Sequence, residues 1–195
     1  MDVASVLEYT AIVLAILYVT LAAKESIWCW YPAFISSGIY VYLTYSANLI
    51  GESFISLFYV IMAVYGWWQW NFGKRKDEQL RLAEWHTTHH VWAILIGFVF
   101  AGALGKGFEI LFDSAMPYLD AFTTSFSLIA TFMVTRKILS NWIYWIVIDA
   151  FNIYLYWSRS LEPTAGLYFL YTILAVFGFI SWYKEWKVDR RFLHA

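Results

Sequence analysis

Trp142, Trp145, Asp149, Asn152 and Tyr156 are spaced 3, 4, 3 and 4 residues apart. At about 100° per residue, that spacing puts all five on one face of a helix. Two indole rings and a carboxylate on one face suit a flat, cationic ligand: the rings stack on it and the acid pairs with its charge. The residues around them are apolar or aromatic. An ionisable group inside such a segment is expensive in a bilayer, by at least about 2.5 kcal/mol on insertion scales, so it faces a cavity or a partner rather than lipid. The competing reading of Asp149 is a structural partnership with a Tyr or Asn of a neighbouring helix. Asn152 serves equally well as glue between helices, and Trp142 and Trp145 also suit the aromatic belt at a membrane surface.

Other polar residues sit at comparable depth. Asp120, Thr123, Thr124 and Ser127 enter a second apolar segment, with Thr124 and Ser127 three residues apart and Thr123 and Ser127 four apart. Their hydroxyls can line a pocket, whereas Asp120 either caps the helix or meets the substrate. Ser56, Tyr59 and Tyr65 are the candidates on a third segment, and Glu52 at its start has the same ambiguity as Asp120. Trp67, Trp68 and Trp70 stand next to Lys74, Arg75 and Lys76, where belt anchoring is the better account of at least one of them and Tyr65 is the better cavity residue. That basic run is a topology signal that also suits anionic lipid. His86 and His90, four apart, would suit a metal only if that stretch is helical, and no carboxylate pattern completes a site. No metal or cofactor is expected.

The elements that must hold these residues are membrane helices. Only 14% of the chain is charged and 62% is hydrophobic, against roughly 25% charged residues in a soluble domain. Seven apolar stretches are long enough, or nearly so, to span: 7–23, 28–47, 52–72, 90–105, 118–135, 140–158 and 164–183. The fourth is the weakest, interrupted by Gly97, Gly102 and Gly105. No cleavable signal peptide is expected, because the first apolar run lacks a basic flank. With Cys29 the single cysteine, an internal disulfide is excluded, and the scattered basic residues give nucleic acid no patch. Alternate loops hold 11 of the 13 Lys and Arg residues, leaving only Lys106 and Arg159 on the other side. That asymmetry predicts an outside N-terminus and a cytoplasmic C-terminus in a bacterial inner membrane. The outer loops then carry Glu52, Glu109, Asp113, Asp120 and Glu162, an acidic mouth for a cation.

An internal likeness organises the spans. Ala63, Val64, Gly66 and Trp70 recur as Ala175, Val176, Gly178 and Trp182, 112 residues on, and aromatic Tyr65 recurs as Phe177. Residues 39–42 resemble residues 153–156 at an offset of 114, so the following loops are expected to differ by two residues. The reading is one transmembrane domain of two parallel three-helix copies, 7–72 and 118–183, joined by a linker helix at 90–105. Parallel copies are a transporter architecture with the substrate held between halves.

Tyr65, Gly66, Trp67 and Trp70 before a basic loop resemble the PnuC family of vitamin transporters. So do Pro117, Asp120, Ser127, Thr135, Arg136, Lys137, Asn141, Trp142, Trp145 and Asp149. The likeness runs from Phe34 to Trp182. It implies an all-α, SWEET-like fold and facilitated diffusion of nicotinamide riboside or, in the PnuT branch, thiamine, trapped inside by a cytoplasmic kinase. It would make Trp142 and Trp145 the family's binding element and Asp149 a position that is Asn or Asp in relatives. Amides of the riboside carriers on the third span are here Ser56 and Ala63, and the chain starts almost at its first span. Both departures favour thiamine over nicotinamide riboside. A homo-oligomer is the family expectation for assembly. ATP-driven pumping by this chain is not expected, since no phosphate-loop motif is present. A seven-helix photoreceptor would need a lysine inside the last span, and an enzyme would need more than one buried acid.

Overall fold

The computed structural model describes residues 3–75, 78–111 and 116–193. Seven α-helices account for most of them: α1 Val3–Ala23, α2 Trp30–Ser46, α3 Ile50–Phe72, α4 Thr87–Leu111, α5 Pro117–Thr135, α6 Asn141–Ser158 and α7 Glu162–Leu193. A single 3-10 turn, Ile27–Cys29, leads into α2. The expected basic loop after α3 contains a two-residue antiparallel pair, β1 Lys74–Arg75 with β2 Glu78–Gln79, and an isolated parallel bridge joins Ala83 to Ile138. Lys76 and Asp113 lie outside the described residues. By length and composition, α1, α4 and residues 162–189 of α7 are apolar enough to cross a membrane.

The largest differences from the spans read in the sequence lie in the fourth and seventh helices. The fourth helix spans 87–111 rather than 90–105. Its glycines notch the helix for neighbours instead of ending it: a Cβ on Gly97 would meet the Phe126 ring, and one on Gly105 the Tyr118 ring. The seventh helix continues ten residues past 183, through a Lys-, Glu- and Arg-rich stretch of good helix formers.

The described residues form two compact units. The first holds α1, α2 and α3, together with the turn Thr135–Lys137. Here α1 packs on α2 and α2 on α3. Ala11 is fully buried, which lets α2 come close enough for Ser36 Oγ to donate to the Ala11 carbonyl at 2.8 Å. The Trp30 ring lies over Gly66, where a side chain would overlap it, and meets Trp70 edge-on at 5.3 Å and 87°.

The second unit holds α4 to α7, apart from that turn. Phe126, Ala130 and Ile148 form its core between α5 and α6, with Phe122, Ile129, Tyr144 and Trp145 packed against them. α6 packs along α7. The Trp142 ring lies over Gly178 and meets Trp182 edge-on at 5.3 Å and 87°.

Trp30, Gly66 and Trp70 are each 112 residues from Trp142, Gly178 and Trp182. The helix-ending turns keep the same spacing. Glu25 and Lys137 take left-handed φ of 52° and 51°, and Asn48 and Ser160 take 59° and 56°. Each follows a helix closed by a bond five residues back, the glycine-type stop made here without glycine. Ser26 N donates to Leu21 O at 3.0 Å and Ile138 N to Met133 O at 3.0 Å. Leu49 N donates to Thr44 O at 2.8 Å and Leu161 N to Tyr156 O at 2.9 Å. The 114-residue offset expected for the second and sixth helices is therefore corrected: the turns after α2 and α6 match at 112, and the loops do not differ by two.

Candidate functional site

α6 begins after Ser140 and its polar face is unevenly engaged. Trp142 is 3% exposed, committed to Gly178 and Trp182. That geometry makes it a packing ring between α6 and α7. Tyr156 is stacked on Tyr168 at 5.2 Å and 11°. Trp145 is half-buried beside the α5–α6 core.

Asp149 is different. It is 2% exposed and Asn152 7% exposed, and neither side chain has a hydrogen bond or ion pair among the described residues. The structural partnership weighed for Asp149 is thus not made. A buried polar group left unmet costs about 1–3 kcal/mol, and a charged one more. Such groups persist where something else meets them. Ser127, on α5 in the same unit, is buried with no bond from its own hydroxyl, and Ser125 Oγ is likewise buried without a partner among the described residues. Thr124 is half-buried, and Thr123 Oγ1 turns back to the Asp120 carbonyl at 3.1 Å.

Asp120 sits in the first turn of α5, and its Oδ2 accepts from Arg159 at 2.7 Å. The pair ties the start of α5 to the turn after α6. Its carboxylate is committed to that tie.

The α3 candidates belong to the first unit. Ser56 is buried, Tyr59 half-buried beside Phe58, and Glu52 exposed. The Tyr65 hydroxyl accepts from Gln69 Nε2 at 2.7 Å and from Arg136 Nη1 at 3.2 Å. Gln69 was missed by the sequence reasoning, although its place one turn after Tyr65 was the signal. Arg136 was read as a topology charge and as part of the family pattern, not as a partner of Tyr65.

The histidines do not form a metal pair. His86 precedes α4, while His90 lies on it. His90 Nε2 stands 3.1 Å from Glu84 Oε1 and Nδ1 3.0 Å from the Tyr144 hydroxyl. Ser140 Oγ donates to the same Glu84 oxygen at 2.6 Å. The cluster ties the start of α4 to the start of α6. No group of His, Cys, Asp or Glu suited to a metal occurs among the described residues.

Long apolar helices that bury a carboxylate, an amide and hydroxyls without partners have the character of a membrane transporter. The chain belongs to the family described as nicotinamide mononucleotide transporter, which it matches over residues 5–184. Relatives cover most of it. The riboflavin/roseoflavin transporter RibM of Streptomyces davaonensis is 24% identical over 92% of this chain and 85% of its own length. The nicotinamide riboside transporter PnuC of Neisseria mucosa is 27% identical over 91% and 72%. PnuC of Escherichia coli is 20% identical over 90% and 84%. Among solved structures, the vitamin B3 transporter PnuC superposes with a TM-score of 0.74 at 26% identity, over 94% of this chain and 83% of that one.

These findings bear out the PnuC family resemblance, and the relatives are transporters. They do not support the preference for thiamine: these relatives are named for nicotinamide riboside and riboflavin.

Proposed function

We propose that this protein is an uptake carrier for nicotinamide riboside in a bacterial inner membrane. The observation that carries the reading is Asp149, buried and unpartnered on the α6 face that also bears Trp145 and Asn152. The pyridinium of the riboside supplies the missing cation. Its flat ring suits the half-buried indole of Trp145, and Asn152 and Ser127 offer an amide and a hydroxyl to its polar groups. The nicotinamide riboside relatives and the vitamin B3 transporter structure support the same ligand. Movement is by facilitated diffusion. The two sets of three helices are read as parallel copies of one element, supported by the packing and turns that recur at 112 residues. The charge asymmetry supports an outside N-terminus.

Riboflavin is the second reading, favoured by the match to RibM over 92% of the chain. Its ring is uncharged, so the acid discriminates between the two. Titration calorimetry of the purified protein with each vitamin tests the choice. Tighter binding of nicotinamide riboside is expected. Tighter binding of riboflavin would move the protein to the RibM side of the family and leave Asp149 as a hydrogen-bonding group.

A further inference from the structure

The turn between α5 and α6 carries two adjacent cations, and both side chains are held within the first unit. Arg136 Nη1 donates to the Tyr65 hydroxyl at 3.2 Å. Lys137 Nζ pairs with Glu25 Oε2 at 3.0 Å and stands 4.8 Å over the Trp70 ring. The ion pair joins two turn residues that both sit in the left-handed region, and its side chains are only 15% and 22% exposed. Beneath it the contacts continue inward: Trp70 meets Trp30 edge-on, and Trp30 follows the fully buried Cys29.

The two layers differ in kind. Aromatic rings locked over glycine separate only when helices part. A partly exposed ion pair and a hydroxyl contact break and re-form readily, because each contributes little net energy. A contact that must open repeatedly is built from the second kind.

We propose that the Arg136–Lys137 turn is a strap that closes the end of the first unit where the α1–α2 turn meets α3, and that it lifts during each transport cycle. Its role in transport rests on the carrier reading. Its opening does not, and is measurable without ligand.

Cys29 reports it, as the single thiol of the chain. Labelling by N-ethylmaleimide in the ligand-free, detergent-purified protein should be slow. If closure controls access, Glu25→Gln and Lys137→Gln should each label faster, by roughly 2- to 5-fold, the population change that losing one weak ion pair produces. The exchange Glu25→Lys with Lys137→Glu should return the rate toward that of the parent. Arg136→Gln should act in the same direction by less. Single variants that label at the parent rate, or an exchange as fast as the singles, would overturn the strap. A short bis-maleimide joining Glu25→Cys to Lys137→Cys, with Cys29→Ala, should stop vitamin uptake into proteoliposomes. Undiminished uptake after cross-linking would leave the turn as a static tether.

Discussion

The two units share their packing and differ in their chemistry. In both, a tryptophan at the start of one helix lies over a glycine of the next and meets a second tryptophan edge-on, with the same 5.3 Å and 87°. Even the buried indole nitrogens of Trp30 and Trp142 alike lack partners among the described residues. At the same 112-residue spacing, however, Asp149 stands where the first unit has Ser37, Asn152 where it has Tyr40, Trp145 where it has Ala33 and Ser127 where it has Ala15. The reverse holds on the last helix of each set, where Tyr65 and Gln69 face Phe177 and Ser181. Residues that keep helices together recur; residues suited to a ligand do not. A symmetric frame can carry an asymmetric ligand only if its lining is allowed to diverge.

The comparison is broken most severely through the shared packing. Trp30→Ala and Trp142→Ala should each destabilise the protein by about 3–5 kcal/mol, the usual cost of removing a buried aromatic ring. Thermal unfolding in detergent should show similar losses for the pair. A large loss for one and none for the other would mean that matching geometry does not carry matching energy.

Asp149→Asn comes next, and it separates the units. Nicotinamide riboside binding should weaken by about 2 kcal/mol or more, since a buried charge loses its counter-charge. Stability without ligand should hold or rise, because the variant no longer buries an unmet carboxylate. Ser37→Ala, at the matching place in the first unit, should leave affinity unchanged. Calorimetry on both variants checks this, and equal losses would make the site symmetric after all.

Trp145→Ala should weaken binding by about 1–3 kcal/mol, a range taken from base–aromatic stacking. Trp142→Phe should leave affinity near the parent value while lowering the unfolding temperature. If affinity instead follows Trp142, the packing assignment of that ring fails. The smallest effect belongs to Tyr65→Phe, which removes a neutral hydrogen-bonding group worth about 0.5–1.5 kcal/mol. Its signature should be faster labelling of Cys29 rather than weaker binding, because the phenol receives Arg136.

Much of this was legible in the sequence. Seven helices follow from apolar run length, and the α6 face follows from spacing alone. The buried Asp149 was legible because few forces other than function keep an acid in such a segment. Three things were not. Glycines in α4 read as breaks because sequence gives no sign of the Phe126 and Tyr118 rings that fill their notches. Trp142 was ambiguous in kind, since belt, ligand and packing all use an indole. A single 112-residue offset carried through both halves would have aligned it with Trp30, whose own place over Gly66 is a packing place. Arg136 and Lys137 read as topology charges because the groups that receive them, on α3 and in the α1–α2 turn, lie far away in sequence. The substrate was not legible, because Ser56 and Ala63 are single positions and a vitamin is recognised by groups far apart in sequence.

The most direct test of the central claim compares nicotinamide riboside with its reduced dihydro form, which has nearly the same shape and no ring charge. Calorimetry should show the parent protein binding the cation more tightly, and Asp149→Asn should abolish that preference while still binding both. A preference of the same size in parent and variant would contradict the account, because the buried acid would then not be what recognises the charge.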